Sequence, residues 1–351
     1  MAAGWEFIVA RSSDRKPIGK LRRCHDRTLS VDLNKSGQAG GWVPTDDPLT
    51  RLIVPWATCL VVQYTTESHE QFTFWSGPFN NRRTSLAQGR ATFSAVGWFE
   101  RLMHLNLQDQ QLQFSNQDAG VIVAALLAKA RLLDPRLQIT MGVNELTRLR
   151  SVTYNLDQNI GQAILDLCNL ESGFDWYIDP ISVTLNIVAK RGDDRPNTRW
   201  MFIGDGKSEH SNLSEVEENM DGSTLVNDVR ARGQYGTGGA VDFESQAQYG
   251  VFMEAPSLSD VVDTNILIAY ANGEIVYRSQ PRVTYTMTPK PGTDTKVPKL
   301  FRDFDIGDTT YLTARRDYID VVDQATRIFG ASLAISDTGV ETLTNLQTTA
   351  G

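Results

Sequence analysis

The stretch that decides the fold runs from Tyr154 to Gly192 and reads YNLDQNIGQAILDLCNLESGFDWYIDPISVTLNIVAKRG. Its first part has the apolar spacing of an amphipathic helix. The residues on this apolar stripe are Ile160, Ala163, Ile164, Leu167 and Cys168. Asp157 precedes the stripe, and its carboxylate can accept a free amide of the first turn, so we predict the N-cap there. Gly173 follows the stripe and predicts a left-handed residue that ends the helix.

The second part of the stretch has a period of two, which is typical of β-strands. The alternating apolar residues are Phe174, Trp176 and Ile178 in the first run and Val183, Leu185 and Ile187 in the second. Asp179-Pro180 predicts a turn between the two runs, and Arg191-Gly192 closes the unit. The whole stretch therefore predicts a helix docked on a hairpin, a small α/β unit.

Residues 1–105, before this unit, are predicted to be rich in strands. The candidate strands are Trp5–Ala10, Arg27–Leu33, Cys59–Tyr64, Gln71–Ser76 and Arg90–Val96. Gly37–Gly41 and Pro44–Pro48 are loops by composition, and Gly77-Pro78 and Asn80-Asn81 are predicted turns. Short strands at this spacing indicate a small barrel or sandwich.

Residues 106–205 form the mixed α/β domain of the prediction. Ser115 and Asp118 resemble a capping box, and a helix is expected from there to about Leu133. Arg150–Tyr154 and Trp200–Ile203 are predicted strands. Residues 206–224 are polar and acidic, which we interpret as a flexible connection between domains. The acidic residues of this connection are Glu209, Glu215, Glu217, Glu218 and Asp221.

Residues 225–351 are again predicted to be rich in strands. The candidate strands are Val226–Gly233, Val283–Met287, Thr309–Ala314, Asp317–Val322 and Ala331–Ser336. One helix, roughly Asp263–Asn272, interrupts them, and Ser336–Gly339 is a hairpin turn before a last strand from Glu341. The predicted order is therefore β, then α/β, then β, although no residue-level repeat relates the two β regions.

Composition is that of an ordinary globular chain. The 351 residues are 41% apolar and carry a net charge of -8, which argues against a nucleic-acid-binding face that covers most of the surface. Cys24, Cys59 and Cys168 are too far apart for a zinc site, and an odd number is not a disulfide framework, so we expect synthesis in a reducing cytoplasm. The N-terminus has no signal-peptide pattern, and the longest apolar run, Ala119–Ala128, is too short to span a bilayer, so we expect no membrane anchor.

Three short motifs invite functional interpretations that their context does not favour. Gly206-Lys207-Ser208 lacks the earlier glycine of a phosphate-binding loop, so an ordinary turn is preferred. Arg191-Gly192-Asp193 spells a cell-adhesion tripeptide, but it follows a strand, and a turn glycine flanked by charges is the stronger interpretation. Gly233–Gly239 precedes Val241–Phe243, which is strand-like, so a hairpin or flexible loop is preferred to a cofactor loop.

The sequence contains no catalytic, cofactor-binding or metal-binding constellation that we can nominate. The histidines His25, His69, His104 and His210 lack metal-ligand spacing, and carboxylates are too abundant for one pair to stand out. We expect no enzymatic activity and no cofactor. Four tryptophans, Trp56, Trp75, Trp98 and Trp176, lie in or beside predicted strands and are most simply core residues.

The order of features resembles the tail hub, or minor tail, proteins of siphophages that infect actinobacteria, which are similar to the baseplate hub of contractile-tailed phages. The N-terminal segments that carry this resemblance are Asp26–Asn34, Asp46–Pro48, Phe74–Pro78 and Ala95–Trp98. The later ones are Asn159–Gly161, Glu171–Trp176, Asn227–Val229, Tyr249-Gly250 and Ile306–Asp308. Each motif alone is weakly specific, and their order carries the resemblance. We expect no C-terminal fibre or lysis extension of the kind that the longest family members carry.

The resemblance implies an α+β, β-rich fold in which two β-barrel-like hub domains flank an α/β insertion domain. It also implies a homotrimeric ring at the distal end of the phage tail, in the virion, that adapts a six-fold tube to a three-fold tip and lets DNA pass. The implied partners are the distal tail protein ring, the tail tube, the tape measure protein and downstream tip or fibre proteins.

Two alternatives stay open at this point. The chain could be a distal tail protein, which forms six-fold rings and usually carries one such barrel, or a carbohydrate-binding or wall-degrading module of a tail tip. The acidic balance also suggests a channel lined by Asp and Glu, which would repel DNA phosphates.

Overall fold

The computed structural model describes residues 4–108, 111–170, 173–195, 202–204, 211–258, 261–290, 297–316 and 319–350. The first strands are β1 Gly4–Arg11, β2 Pro17–Lys20, β3 His25–Asp32, β4 Gln38–Pro44, β5 Thr58–Thr65, β6 Gln71–Ser85 and β7 Arg90–Val96. The middle elements are β8 Leu112–Asp118, α1 Ala119–Leu133, β9 Thr140–Asn144, β10 Leu149–Tyr154, α2 Ile160–Cys168, β11 Asp175–Ile178 and β12 Thr184–Val188. The next are β13 Phe202–Gly204, β14 Leu213–Asp221, β15 Asp228–Arg232, β16 Thr237–Val241, α3 Phe243–Tyr249, β17 Met253–Glu254 and α4 Thr264–Arg278. The last are β18 Arg282–Pro289, β19 Thr309–Arg316, β20 Ile319–Ile335 and β21 Glu341–Ala350.

One large sheet joins both ends of the chain. Its strand order is β14-β18-β21-β20-β3-β4-β7-β6-β5-β1-β2, with β19 paired to β20 and β13 paired to β19. The two halves meet where β20 pairs with β3, from Gly330 opposite Asp32 to Ile335 opposite Arg27. The first half of β6 pairs with β5 and its second half with β7, so this strand bends from one layer into another.

A single hydrophobic core lies under this sheet. Leu29 and Phe79 from the N-terminal strands and Met287 and Leu346 from the C-terminal strands belong to one buried cluster. The Phe74 and Phe301 rings stack across the two halves with centroids 5.0 Å apart.

Among the described residues, β13 comes within 8 Å of β14, Cα to Cα, without forming a ladder with it. The division into two separate β-barrel-like hub domains, with boundaries at 105, 205 and 224, stays a prediction.

Two smaller units flank the sheet. The first contains α1 and α2, the β8–β10 pair and the β11-β12-β9 sheet around a second core that includes Ile122, Ile164 and Trp176. The second contains the β16-β15-β17 sheet with α4 packed on one face, around Val229 and Ala271. The predicted helix-on-hairpin unit is confirmed, because α2 buries its five stripe residues and β11 pairs antiparallel with β12.

The ends of the central helix differ from the prediction. The N-cap of α2 is Asn159, whose Oδ1 accepts a hydrogen bond from the Gln162 amide, and Asp157 instead has a left-handed φ of 65° in the preceding turn. The helix ends at Cys168 with Asn169 as the C-cap. Gly173 is not the left-handed stop, but a Cβ there would come 1.7 Å from the Cys168 carbonyl oxygen, so a close approach of the chain explains this glycine.

Several predicted loops and turns are strands. Gly37–Gly41 lies mostly in β4, and Gly77-Pro78 and Asn80-Asn81 lie within the long β6. Most of the described part of the acidic connection forms β14, which pairs with β18. It does so because Leu213 and Val216 pack on the core, while the glutamate side chains remain exposed. Glu209 and Trp200 lie outside the described residues.

Two helix boundaries are also corrected. Asp118 caps α1 by accepting from the Gly120 amide, whereas Ser115 lies inside β8 and does not begin the helix. Val241 ends β16, and Phe243 begins the short helix α3, so the predicted strand there is wrong. Helix α4 begins directly after its cap Asp263, close to the predicted start, but it runs to Arg278, beyond the predicted end at Asn272. The Ser336–Gly339 turn precedes β21 as predicted. No helix in the described ranges is long and apolar enough to cross a membrane.

Candidate assembly surface

The large sheet has a second face that is polar over eight consecutive strands, from β14 to β6. Cross-strand partners share a face, so the ladders define rows of side chains across the sheet. One row runs Glu217, Thr286, Gln347, Gly330 and Asp32. A second row runs Thr342, Ala334, Thr28, Gly40, Ser94 and Asn81. The face therefore consists mainly of Thr, Ser, Gln and Gly, opposite the buried Leu, Ile, Met and Phe side chains.

The pattern of this face is visible in the sequence once the strands are known. In β18, Thr284, Thr286 and Thr288 alternate with the buried Tyr285 and Met287. Local alternation of polar and apolar residues predicts the individual strands. It does not predict their shared polar face, because that face depends on which strands are neighbours.

Charged side chains lie at both margins of the polar face, and Asp32 on β3 and Arg282 on β18 lie between the margins. Glu215 and Glu217 lie on β14 at one margin, and Arg83 and Arg90 lie on β6 and β7 at the other. Both margins are strand edges: β14 has a ladder partner only in β18, and the second half of β6 has one only in β7 among the described residues. Such edges present backbone amides and carbonyls that another chain can pair with.

A buried ionic junction joins the hairpin unit to the large sheet. Asp175, which is 7% exposed, accepts hydrogen bonds from Asn34 Nδ2 at 3.0 Å and from the Arg191 amide at 2.7 Å, and it is ion-paired with Arg327. The Arg191 guanidinium lies 4.7 Å from the centroid of the Tyr177 ring and contacts Asp305 Oδ2 at 3.1 Å. A buried carboxylate is tolerated here because several donors compensate for its lost hydration.

A second carboxylate extends this junction. Asp308 is 1% exposed and accepts from the Asp193 amide at 2.8 Å and from Arg195 Nε at 3.0 Å. Gly192, which directly precedes Asp193, has a φ of +86° and packs against the backbone of Gly307. The Arg191-Gly192-Asp193 tripeptide is therefore a turn in a structural contact, in agreement with the prediction.

The histidines make different local contacts. His25 Nδ1 is 2.7 Å from Asp337 Oδ2, and its ring stacks on Trp42 at 4.3 Å. His104 makes an edge contact with Trp56, and His69 is in a left-handed turn. His210 and Gly206-Lys207-Ser208 lie outside the described residues. Within the described ranges, no group of three or more His, Cys, Asp or Glu side chains could hold a metal ion.

The cysteines and most of the tryptophans are buried. Burial raises the pKa of the Cys24, Cys59 and Cys168 thiols to about 12, which keeps them protonated at neutral pH. Trp75, Trp98 and Trp176 are core residues as predicted, whereas Trp56 is half-buried in a turn. Gly233–Gly239 forms the predicted hairpin, with β15 and β16 as its strands.

A cavity with an aromatic lining lies at the junction between the hairpin unit and the sheet. It has a volume of about 300 Å³ and is lined by Phe74, Trp75, Trp98, Trp176 and Tyr177, among others. Most of these rings are engaged in packing: Trp98 Nε1 donates to Ser76 Oγ at 3.0 Å, and Trp176 stacks on Phe99 at 4.1 Å. We therefore interpret the cavity as a feature of the junction.

The fold is similar to that of solved phage tail proteins. The tail protein from Neisseria meningitidis MC58 has a TM-score of 0.64 at 12% identity, over 99% of this chain and 96% of that one. The 43 kDa tail protein of prophage MuSo2 from Shewanella oneidensis has a TM-score of 0.61 at 12% identity, over 98% of each chain. The prophage tail protein gp18 from Listeria monocytogenes EGD-e has a TM-score of 0.58 at 12% identity, over 99% of this chain and 94% of that one.

These likenesses concern the fold over nearly the full length of the chains. No family model matches the sequence. No curated protein matches it either.

Proposed function

We propose that this chain is a structural virion protein, a hub of the tail tip or baseplate, that forms a homotrimeric ring with the polar face of its large sheet turned toward the central channel. The observation that carries this proposal is the polar face itself, which is continuous over eight strands from both ends of the chain. Antiparallel sheets commonly have one solvated face, and the width of this one, with its mainly uncharged small polar residues, suits the wall of a channel. The full-length fold likeness to tail proteins supports the same conclusion.

The chemistry of the face suits the passage of DNA. Affinity for nucleic acid comes mainly from Lys and Arg neutralising phosphates, whereas Thr, Ser and Gln offer no fixed positive charge. The centre of the face carries residues such as Thr28, Ser94 and Thr286, with Glu217 near one margin. We propose a mainly neutral, weakly adhesive channel, in which the acidic lining suggested by the composition is densest at the β14 margin, with Asp32 nearer the centre of the face.

We propose that the ring is assembled in the host cytoplasm. The proposed neighbours in the virion are the distal tail protein ring and tail tube on one side and tip or fibre proteins on the other, with the tape measure protein inside. We propose no catalytic role and no cofactor.

The proposal is tested by the mass and symmetry of the purified protein. We expect light scattering coupled to gel filtration to give three times the 39.1 kDa chain mass, and electron microscopy to show rings with three-fold symmetry and a central opening. A six-fold ring would favour the distal tail protein alternative. A monomer at high micromolar concentration would overturn the proposal.

A second experiment addresses the channel surface. Thr286→Lys and Ser94→Lys place cations on the polar face, and we expect the assembled variants to retard short duplex DNA in gels at low salt, because fixed positive charge creates phosphate contacts. The matched control Gln248→Lys, at an exposed position of α3 in the second flanking unit, should not retard DNA in this way. Equal retardation by the control would contradict the assignment of the polar face to the channel.

A further inference from the structure

The polar face ends on two free strand edges, β14 and the second half of β6, within the described part of the chain. Seven consecutive ladders link β14 to the second half of β6, and all seven are antiparallel. Eight strands joined in this way end on strands of opposite direction. Consequently β14 of one copy, placed beside β6 of the next copy, would continue the antiparallel order without interruption.

The two edges carry opposite charge. On β14, Glu215, Glu217 and Glu218 are exposed, and none of them has an ion-pair partner among the described residues. On the second half of β6, Arg82 and Arg83 are exposed; Arg82 donates to the Thr50 carbonyl at 2.8 Å, and Arg83 has no partner in the described part of the chain. Glu218 is hydrogen-bonded to the Tyr285 hydroxyl, whereas Glu215 and Glu217 make no ion pair among the described residues. Acidic charge on one edge and basic charge on the opposite edge are complementary in a head-to-tail contact.

We propose that the acidic β14 edge of one subunit pairs with the basic second half of β6 in a second copy of this chain, and that this contact closes the ring. The inference rests on the proposed ring and names its subunit interface. Glu215 and Glu217 share the polar face with Arg83, so their side chains would meet at the channel rim, while Glu218 and Arg82 would meet on the opposite face of the joined sheet.

Charged edge residues have another use, which is to prevent sheets from aggregating edge to edge. The charges proposed to hold the ring together would also prevent this aggregation, because two β14 edges repel each other and so do two β6 edges. Only the head-to-tail combination is attractive, and a heterologous contact of this kind ends growth when the ring closes. Strand β13 comes within 8 Å of β14 but leaves it without a second ladder.

The interface is tested by exchanging the charges of its two edges. The first variant carries Glu215→Lys and Glu217→Lys, and the second carries Asn81→Glu and Arg83→Glu, which leaves the Arg82–Thr50 hydrogen bond intact. We expect each variant to associate at least about tenfold more weakly than the wild type at low salt, because like charges then face each other. A third variant with all four changes has the complementary charges exchanged, and we expect it to assemble again.

The matched control carries Glu67→Lys and Glu145→Lys, two exposed acids on other loops that have no ion-pair partner among the described residues. We expect it to assemble as the wild type does. Gel filtration with light scattering measures assembly, and far-UV circular dichroism shows that each variant is folded.

The outcomes separate the two proposals. A monomeric wild type overturns the ring and this interface together. A ring that persists in both edge variants overturns the interface and leaves the ring in place. If the folded edge variants dissociate and the variant with all four substitutions also stays monomeric, the pairing of these two edges is overturned. If each edge variant dissociates and the variant with all four substitutions assembles again, the proposed interface is supported.

Discussion

Gly192 illustrates, at the scale of one residue, how the hairpin unit is tied to the large sheet. Its φ of +86° is a conformation that L-amino acids with a side chain rarely adopt, and a Cβ would lie 2.1 Å from the Gly307 carbonyl carbon. Gly307 is itself left-handed, and the buried Asp308 follows it. The two glycines therefore allow the backbones to approach closely enough for the Asp308 carboxylate to accept a hydrogen bond from the Asp193 amide.

Gly192→Ala should destabilise the protein through both strain and overlap. Gly89→Ala is a matched control, because Gly89 also has a positive φ, +62°, but its Cβ would meet nothing within 4 Å. The control isolates the conformational cost, about 1–2 kcal/mol. We expect Gly192→Ala to lower the free energy of unfolding by roughly 1–3 kcal/mol more than the control does, measured by urea denaturation, because overpacking is added. Equal losses would mean that the Gly192–Gly307 approach relaxes freely.

Helix α2 shows, at the scale of an element, what spacing can and cannot predict. The apolar stripe identified the helix and its buried face, because that face depends only on a local period. The cap was misplaced by two residues, since Asp157 and Asn159 are both good capping residues and the sequence does not say which begins the turn. Asn159 is also held from outside the helix, where its Nδ2 donates to the Met103 carbonyl at 2.8 Å.

The corrected cap makes a direct prediction. Asn159→Ala removes the hydrogen bond to the Gln162 amide and the one to Met103, and we expect it to lower the free energy of unfolding by about 1–2 kcal/mol. Asp157→Asn tolerates the left-handed turn and removes no cap, so its expected effect is under about 0.5 kcal/mol. Chemical denaturation of both variants measures the difference, and the reverse order of effects would restore Asp157 as the cap.

The large sheet is organised, at the scale of the whole molecule, by contacts between the two ends of the chain. Trp5 Nε1 donates to Glu341 Oε2 at 2.9 Å, and β3 pairs with β20 along six residue pairs. The buried cluster beneath the sheet takes residues from residue 5 to residue 346. Because the N-terminal strands share this core with strands β18 to β21, their stability depends on strands that are synthesised later.

A fragment of residues 1–105 tests this dependence. It keeps β1 to β7 but leaves β3 without β20 and exposes the face of Phe74 that packs on Phe301. We expect the fragment to lack a cooperative thermal transition and a near-UV circular dichroism signal, in contrast to the full chain, because it loses much of its buried apolar area. A cooperatively folded fragment would instead support an autonomous N-terminal hub domain with the predicted boundary.

The sequence by itself determined the elements whose evidence is local. Alternation and helical spacing located most strands and the α2 stripe, because side-chain periods follow directly from backbone geometry. Only the tertiary structure decided which strands are neighbours, and with them the shared core, the polar face and the two charged edges. Strand pairing joins residues that are up to hundreds of positions apart, such as Leu29 and Leu333, and no local period encodes such a choice. The acidic segment 213–221 shows the consequence, since its charges indicated a linker, while its few apolar residues and its neighbour β18 make it the edge of a sheet.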